Sequence, residues 1–262
     1  MPHLQVDLER RFSGLERLYG VQPHSAIRNA HVVVVGIGGV GSWAVEALAR
    51  SGVGKLTLID MDHIAESNIN RQVHAITSTV GMAKVAAMKL RVALVNPMCN
   101  VTCIDAFVEP DSWLGLLPEG IDAVVDACDQ VKAKTAIADW ARHSKAIFVS
   151  VGAAGGKRHA HKVDVADIGE VSHDPLLAKV RYLLRRSHGA PKASKKMGVS
   201  CVFSREPVQS SDASCAPQED NTLNCHGYGS VVSVTATFGM CAAGWVLDKI
   251  SQAKGDVQGK PI

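Results

Sequence analysis

The sequence contains no C-x-x-C pair, and its seven cysteines (Cys99, Cys103, Cys128, Cys201, Cys215, Cys225 and Cys241) are odd in number and scattered. A disulfide framework and a paired-thiolate zinc site are therefore not expected. The opening residues, MPHLQVDLERRF, lack the apolar segment and small-residue cleavage site of a secretory leader, so a cytosolic location is expected. Two local absences matter more. No Asp or Glu occurs from Pro175 to Arg205, a stretch holding eight Lys or Arg, and no Asp, Glu, Lys or Arg occurs from Asn221 to Leu247. Aromatic residues make up only 5% of the chain. Against these, 47% hydrophobic and 20% charged residues over 262 positions give a globular chain with ample material for a core. The net charge of +3 says little about partners as a total.

From His31 onward apolar strands alternate with helical stretches: HVVVV, a helix from Gly39 to Ser51, KLTLID, then GMAKVAAMKLRVALVN stopping at Pro97. NVTCI, AVVDAC, a helix from Val131 to His143 and AIFVSVG follow. Nearly continuous apolar strands separated by helices indicate a parallel sheet covered on both faces. The expected fold is α/β, a Rossmann-like, doubly wound and mostly parallel sheet with additional C-terminal strands, loops and a buried apolar helix. Residues 1–262 are read as one domain, with a nucleotide-binding half over 1–152 and a substrate-side half over 153–262. In the second half, DPLLAKVRYLLRRSHG reads as a helix with Asp174 as its N-cap and Pro175 as its first residue. Residues 188–198 and 204–224 read as long loops. The closing apolar stretch from Val231 is diluted by Ser, Thr and Gly, which favours a buried helix, at a subunit interface, over a membrane span.

GIGGVG, Gly36 to Gly41, follows a strand and opens a helix, the context in which G-x-G-x-x-G marks a nucleotide site. Gly36 permits the turn, Gly38 lets backbone N–H groups approach phosphate, and Gly41 allows close helix packing. Asp60, ending the second strand, is placed to accept from ribose hydroxyls, which NAD and ATP would want equally. Discrimination must come from charge near the distal phosphates. Arg71 offers a fixed fork, Lys84 lies in the first turn of a helix, and Asp129 follows AVVDAC at the carboxyl edge of the sheet, where one carboxylate could hold Mg²⁺. Taken singly, each has an ordinary alternative: a loop cation, a solvated helix position, an N-cap. Together they suit a triphosphate being cleaved.

The order GxGGxGS, LIDxDxIxxSNxNRQ, GxxK and DxxD resembles the ATP-binding domain of the ubiquitin-activating-enzyme-like ThiF/MoeB/HesA superfamily. The resemblance implies adenylation of a carboxylate, with Gly36, Gly38 and Gly41 under the nucleotide, Asp60 on ribose, and Asn68, Arg71 and Gln72 near the triphosphate. It also implies Lys84 on phosphate, Asp129 on Mg²⁺, and ATP and Mg²⁺ as cofactors. RFSGLERLYG, HDPLLAKVRYLLR after a GGK turn, GVSCVFSREPV and the closing GSVVSVTATFGMCAAGWVL resemble the tRNA threonylcarbamoyladenosine dehydratases. That family's implied partner is tRNA carrying threonylcarbamoyladenosine, with ring closure after adenylation of the threonyl carboxylate. Homologous activators also bring an arginine from the partner subunit's N-terminus, so a homodimer is expected, with Arg17 favoured over Arg11 for that role and joining Arg71, Lys84 and Asp129 as a catalytic candidate. A sulfur-transfer protein is a further partner the resemblance admits. Cys201 has two readings, a thioester-forming cysteine as in related activators or a small hydrophobe in a buried strand, and the second is favoured.

The acid-free stretch acquires a use from this resemblance: Arg181, Arg185, Arg186, Lys195 and Lys196 are candidates to grip tRNA phosphates. Three other functions share some of these features, among them a non-catalytic, nucleotide-gated RNA-binding scaffold, which pyrophosphate release in the presence of tRNA would exclude. An NAD-dependent oxidoreductase would leave Arg71, Lys84 and Asp129 unexplained, and an activator of a small sulfur-carrier protein would need a β-grasp partner ending in Gly-Gly.

Overall fold

The computed structural model describes residues 6–192, 195–209 and 228–253. Two helices open it, α1 (Leu8–Tyr19) and α2 (Val21–Asn29). The alternating strands and helices then follow as β1 (His31–Val35), α3 (Gly41–Arg50), β2 (Lys55–Ile59), α4 (Lys84–Val95) and β3 (Asn100–Ile104). Next come α5 (Trp113–Leu116), β4 (Ala123–Asp126), α6 (Val131–His143) and β5 (Ile147–Val151). The remainder is β6 (Val163–Asp167), α7 (Pro175–Ser187), β7 (Ser200–Ser204) and α8 (Val232–Ala253).

The strands form one sheet in the order β3-β2-β1-β4-β5-β7-β6. All neighbours run parallel except β6, which pairs antiparallel with β7 at one edge. The Rossmann-like, mostly parallel sheet expected from the sequence is thus what the chain forms.

Strand alternation decides which side each valine serves. Val32 and Val34 of β1 face a core shared with α3, α4 and α8, whereas Val33 and Val35 face one built from α6, α7 and Trp113. All four are essentially fully buried, which explains why the strand is valine throughout after the half-buried His31. The helix caps work as read: Asp174 Oδ1 accepts from Leu177 N at 2.9 Å, and Pro175 occupies the first turn of α7.

The closing helix runs from Val232 through Asp248 and Lys249 to Ala253, and among the described residues no helix is long and apolar enough to cross a membrane. It packs on α3. A Cβ added to Gly239 would lie 2.5 Å from Val40 O and 2.8 Å from Ala44 N, so α8 touches the backbone of the first turn of α3. Gly239→Val is therefore expected to cost about 1–3 kcal/mol through overpacking, read as a lowered urea midpoint with an unchanged slope. A midpoint equal to the parent's would mean the two helices part without cost.

Of the 188–198 loop, the described residues 188–192 and 195–198 are irregular as expected, while the 204–224 loop lies outside the described residues beyond Gln209. The strand order reverses between β1 and β4, so a crevice opens at their carboxyl ends.

Candidate active site

At the end of β1 the glycine-rich turn has three distinct geometries. Gly36 holds φ +82°, and a Cβ there would meet Cys128 N at 2.8 Å, so the turn rests on the loop after β4. A Cβ on Gly41 would sit 1.8 Å from Gly36 O, leaving room for nothing but glycine. Gly38 faces open space, with no atom within 4 Å of an added Cβ. The turn closes on itself at two glycines and stays open at the third, where phosphate would approach. No side chain caps the N-terminus of α3 or of α4, so both turn the positive end of their dipoles outward, while Ser42 N is taken by Gly38 O at 3.1 Å and Lys84 N by Asp62 O at 2.9 Å.

Asp60 follows β2. Its Oδ2 accepts from Ile37 N at 2.5 Å and its Oδ1 from Asp62 N at 2.8 Å, tying it to the turn. Burial raises its pKa above the usual carboxylate range, opposed by the charge of Lys84 and by these N–H bonds. Lys84, the first residue of α4, is buried and donates to Asp62 Oδ2 at 2.6 Å. Asp62 is not among the sequence candidates, although the DMD spacing of Asp60 and Asp62 carries the signal.

Arg71 lies across the turn: a Cβ on Gly39 would be 3.4 Å from its Cγ. Its guanidinium donates to Ser67 O at 2.6 Å and Asn70 Oδ1 at 2.9 Å. Its carbonyl accepts from Trp43 Nε1 at 2.9 Å and from Thr235 Oγ1 at 3.3 Å, so both α3 and α8 hold this residue in place. Asn68 is buried, and its Oδ1 accepts from Ala65 N at 3.1 Å, which fixes the loop. Gln72 is buried with Oε1 unpartnered among the described residues. Asp129 is exposed on the β4–α6 loop, and Gln130, not Asp129, is the residue at the cap of α6.

His74, buried close to Lys84 and Arg91, has no motif around it that sequence reasoning could use. Burial, with Lys84 and Arg91 adding to it, pulls its pKa from 6.5 down to about 4, and neither ring nitrogen has a partner among the described residues. The unfolded chain takes up this proton below pH 6.5, while the fold resists until about pH 4. Stability should therefore fall as pH drops through that window, by up to about 3 kcal/mol from this residue. Urea unfolding between those pH values should show a flatter acid dependence for His74→Met, and equal slopes would refute the assignment.

The remaining candidates lie elsewhere. Arg17 is exposed on α1, whose Phe12 packs over Gly52 and whose Arg11 donates to Val95 O at 2.7 Å. These contacts are at the end where the strands begin, opposite the carboxyl ends that carry the glycine turn. Cys201 is fully buried in β7, and burial pushes its thiol well above the ordinary range, which fits the hydrophobe reading. The basic set divides into engaged and exposed side chains. Arg181 donates to Ile168 O and Val171 O at 3.0 and 2.8 Å, and Arg185 donates to Pro191 O at 3.2 Å, so these half-buried arginines brace loops. Arg186, Lys195 and Lys196 are exposed, as are Lys179 and Lys192.

The ThiF family profile matches residues 13–261 of the chain. The chain belongs to the ThiF family. Among its relatives are the tRNA threonylcarbamoyladenosine dehydratases of Haemophilus influenzae, 42% identical over 94% of this chain and 95% of that protein, and Escherichia coli, 43% identical over 95% and 96%. A solved structure of the E. coli enzyme in complex with ATP superposes with a TM-score of 0.86 at 42% identity, covering 96% of this chain and 97% of that one. The same enzyme in complex with AMP gives 0.85. In this ThiF-family chain, the glycines, Asp60, Asn68, Arg71, Gln72, Lys84 and Asp129 all belong to segments at the carboxyl end of the sheet around the β1–β4 crevice.

Proposed function

We propose that this chain is an ATP-dependent enzyme that adenylates the threonyl carboxylate of threonylcarbamoyladenosine in tRNA and then closes the ring with loss of AMP. The observation carrying this reading is the convergence of Arg71 and Lys84 on an open glycine turn that also holds Asp60, with exposed Asp129 on the loop touching it. Two cations and a metal carboxylate suit a triphosphate, whereas a nicotinamide dinucleotide has only its diphosphate to neutralise. Relatives carrying the dehydratase name over nearly the full chain support the substrate. A molybdopterin-synthase adenylyltransferase matches over only 45% of the chain.

In the proposed reaction a carboxylate oxygen attacks the α-phosphorus and pyrophosphate leaves. The carbamoyl group then attacks the acyl carbon and AMP leaves, for a net loss of water from the nucleoside. Backbone N–H groups at Gly38 and the start of α3 would hold phosphate, Arg71 and Lys84 would offset its charge, and Asp60 would accept from ribose. Exposed Asp129 would offer one carboxylate to a divalent cation shared with the phosphates. Such a cation would neutralise charge on the leaving pyrophosphate. The second step joins two groups of one substrate, which confers effective molarities of roughly 10⁵–10⁸ M when geometry is good. No enzyme thiol is needed, and burial raises the pKa of both Cys128 and Cys201. Residues 1–152 would supply the nucleotide contacts and 153–262 the substrate-facing ones. Arg17 would act across a homodimer.

Mass spectrometry of tRNA nucleosides after incubation with the protein, ATP and Mg²⁺ tests the reading. A nucleoside lighter by one water is expected, and intact threonylcarbamoyladenosine would overturn it. For the tRNA grip, alanine at Lys179, Arg186, Lys192, Lys195 and Lys196 should flatten the salt dependence of binding. Every phosphate that is no longer neutralised takes about 0.7–0.9 off the slope of log K against log[salt]. ATP affinity should hold, and an unchanged slope would assign these cations to solvent.

A further inference from the structure

Lys134 and Asp126 are both wholly enclosed, yet neither can touch a substrate. Lys134 stands on the inward face of α6 beside Ala133, Ile137 and Ala138. Its ammonium uses all three donors, reaching Asp126 Oδ2 at 2.8 Å, Asp126 O at 3.1 Å and Ser150 Oγ at 3.1 Å. Ser150 Oγ in turn donates to Asp126 Oδ2 at 2.8 Å, joining β5 to β4. The other carboxylate oxygen, Oδ1, accepts from Cys128 N at 3.2 Å and Cys128 Sγ at 2.9 Å. One side of Asp126 is thus clamped, and the other grips the loop that carries Asp129. That loop is the one against which Gly36 packs, since a Cβ there would meet Cys128 N at 2.8 Å. Apolar residues of similar volume would pack this position without desolvating two charges, so stability alone does not account for the pair.

We infer that Lys134, acting through Asp126 and the Cys128 N–H, is a positioning residue that fixes Asp129 relative to the glycine turn for a divalent cation shared with the triphosphate. This rests on the reading of Asp129 as the cation's ligand. Outer partners that orient a ligand commonly change metal affinity by about 10–100-fold when removed.

The test measures Mn²⁺ binding by electron paramagnetic resonance in the presence of a non-hydrolysable ATP analogue, alongside tRNA affinity and the thermal midpoint. The full chain is used in three variants. Asp126→Asn with Lys134→Met removes both buried charges, Ser150→Ala loosens the clamp while leaving them, and Asp129→Asn removes the ligand. Mn²⁺ affinity should fall about tenfold in the double variant, about threefold in Ser150→Ala and furthest in Asp129→Asn, with tRNA affinity unchanged. Parental Mn²⁺ affinity in the first two, beside a loss in Asp129→Asn, would overturn the role of Lys134 alone. Retention of Mn²⁺ by Asp129→Asn would overturn the ligand reading and this inference with it. A parallel loss of Mn²⁺ and tRNA affinity in the clamp variants would mark general disruption, and overturn it too. If the double variant does not fold, Ser150→Ala decides.

Discussion

Asp129→Asn is expected to lower ATP-dependent pyrophosphate release by about 10²–10³-fold, the scale seen when one fixed electrostatic contact to developing charge is removed. An amide oxygen can still touch a cation but brings no negative charge to offset it, and hard divalent cations favour carboxylate. The substitution preserves shape on an exposed loop, and a different residue stands at the cap of α6. The thermal midpoint and tRNA affinity should therefore stay near parental values. Release assayed with tRNA across a Mg²⁺ series checks this, and undiminished turnover at low Mg²⁺ would remove Asp129 from the site.

Lys134→Met should have the largest effect on stability, about 3–5 kcal/mol, because it strands the Asp126 carboxylate in a dry interior. The side chains are 0% exposed on both sides of the pair. Burial opposes the ammonium's charge, but Asp126 outweighs it and holds Lys134 above the ordinary lysine range. For a chain of this size the loss corresponds to a thermal midpoint lower by about 6–20 °C. Adding Asp126→Asn should recover part of that loss, since a neutral amide costs less to bury than an unpaired carboxylate. A single variant as stable as the parent would show that the pair is solvated in solution.

Much of this architecture is legible from pattern. HVVVV reads as a strand buried on both faces because alternate valines face different cores, and the apolar spacing of Val131–His143 matches α6. Asp174 and Pro175 mark the start of α7. The glycine turn is legible because glycine at Gly36 and Gly41 answers to local geometry. What stays hidden depends on contacts between distant segments. Lys134 sits in sequence among Ala133, Ile137 and Ala138 as one charge on an apolar face, but its partners come from β4 and β5. Arg181 and Arg185 look like free cations in sequence because the carbonyls that hold them belong to loops without a sequence signature. α1 and α2 escape assignment as helices, although α1 is amphipathic and opens on an N-cap, Asp7, whose side chain accepts from Arg10 N at 2.9 Å.

The contact between Thr235 of α8 and the Arg71 carbonyl bears on how the protein is made. α8 is translated after every other described element, yet it covers one face of the sheet and leans on the first turn of α3. A nascent chain that has already emitted the glycine turn, Asp60 and Lys84 still has an uncovered apolar face there, and its Arg71 carbonyl lacks one of the two side chains that donate to it. ATP should therefore bind poorly to ribosome-held chains ending before Val232 and gain affinity only as α8 emerges, which makes the nucleotide site one of the last parts of the molecule to mature.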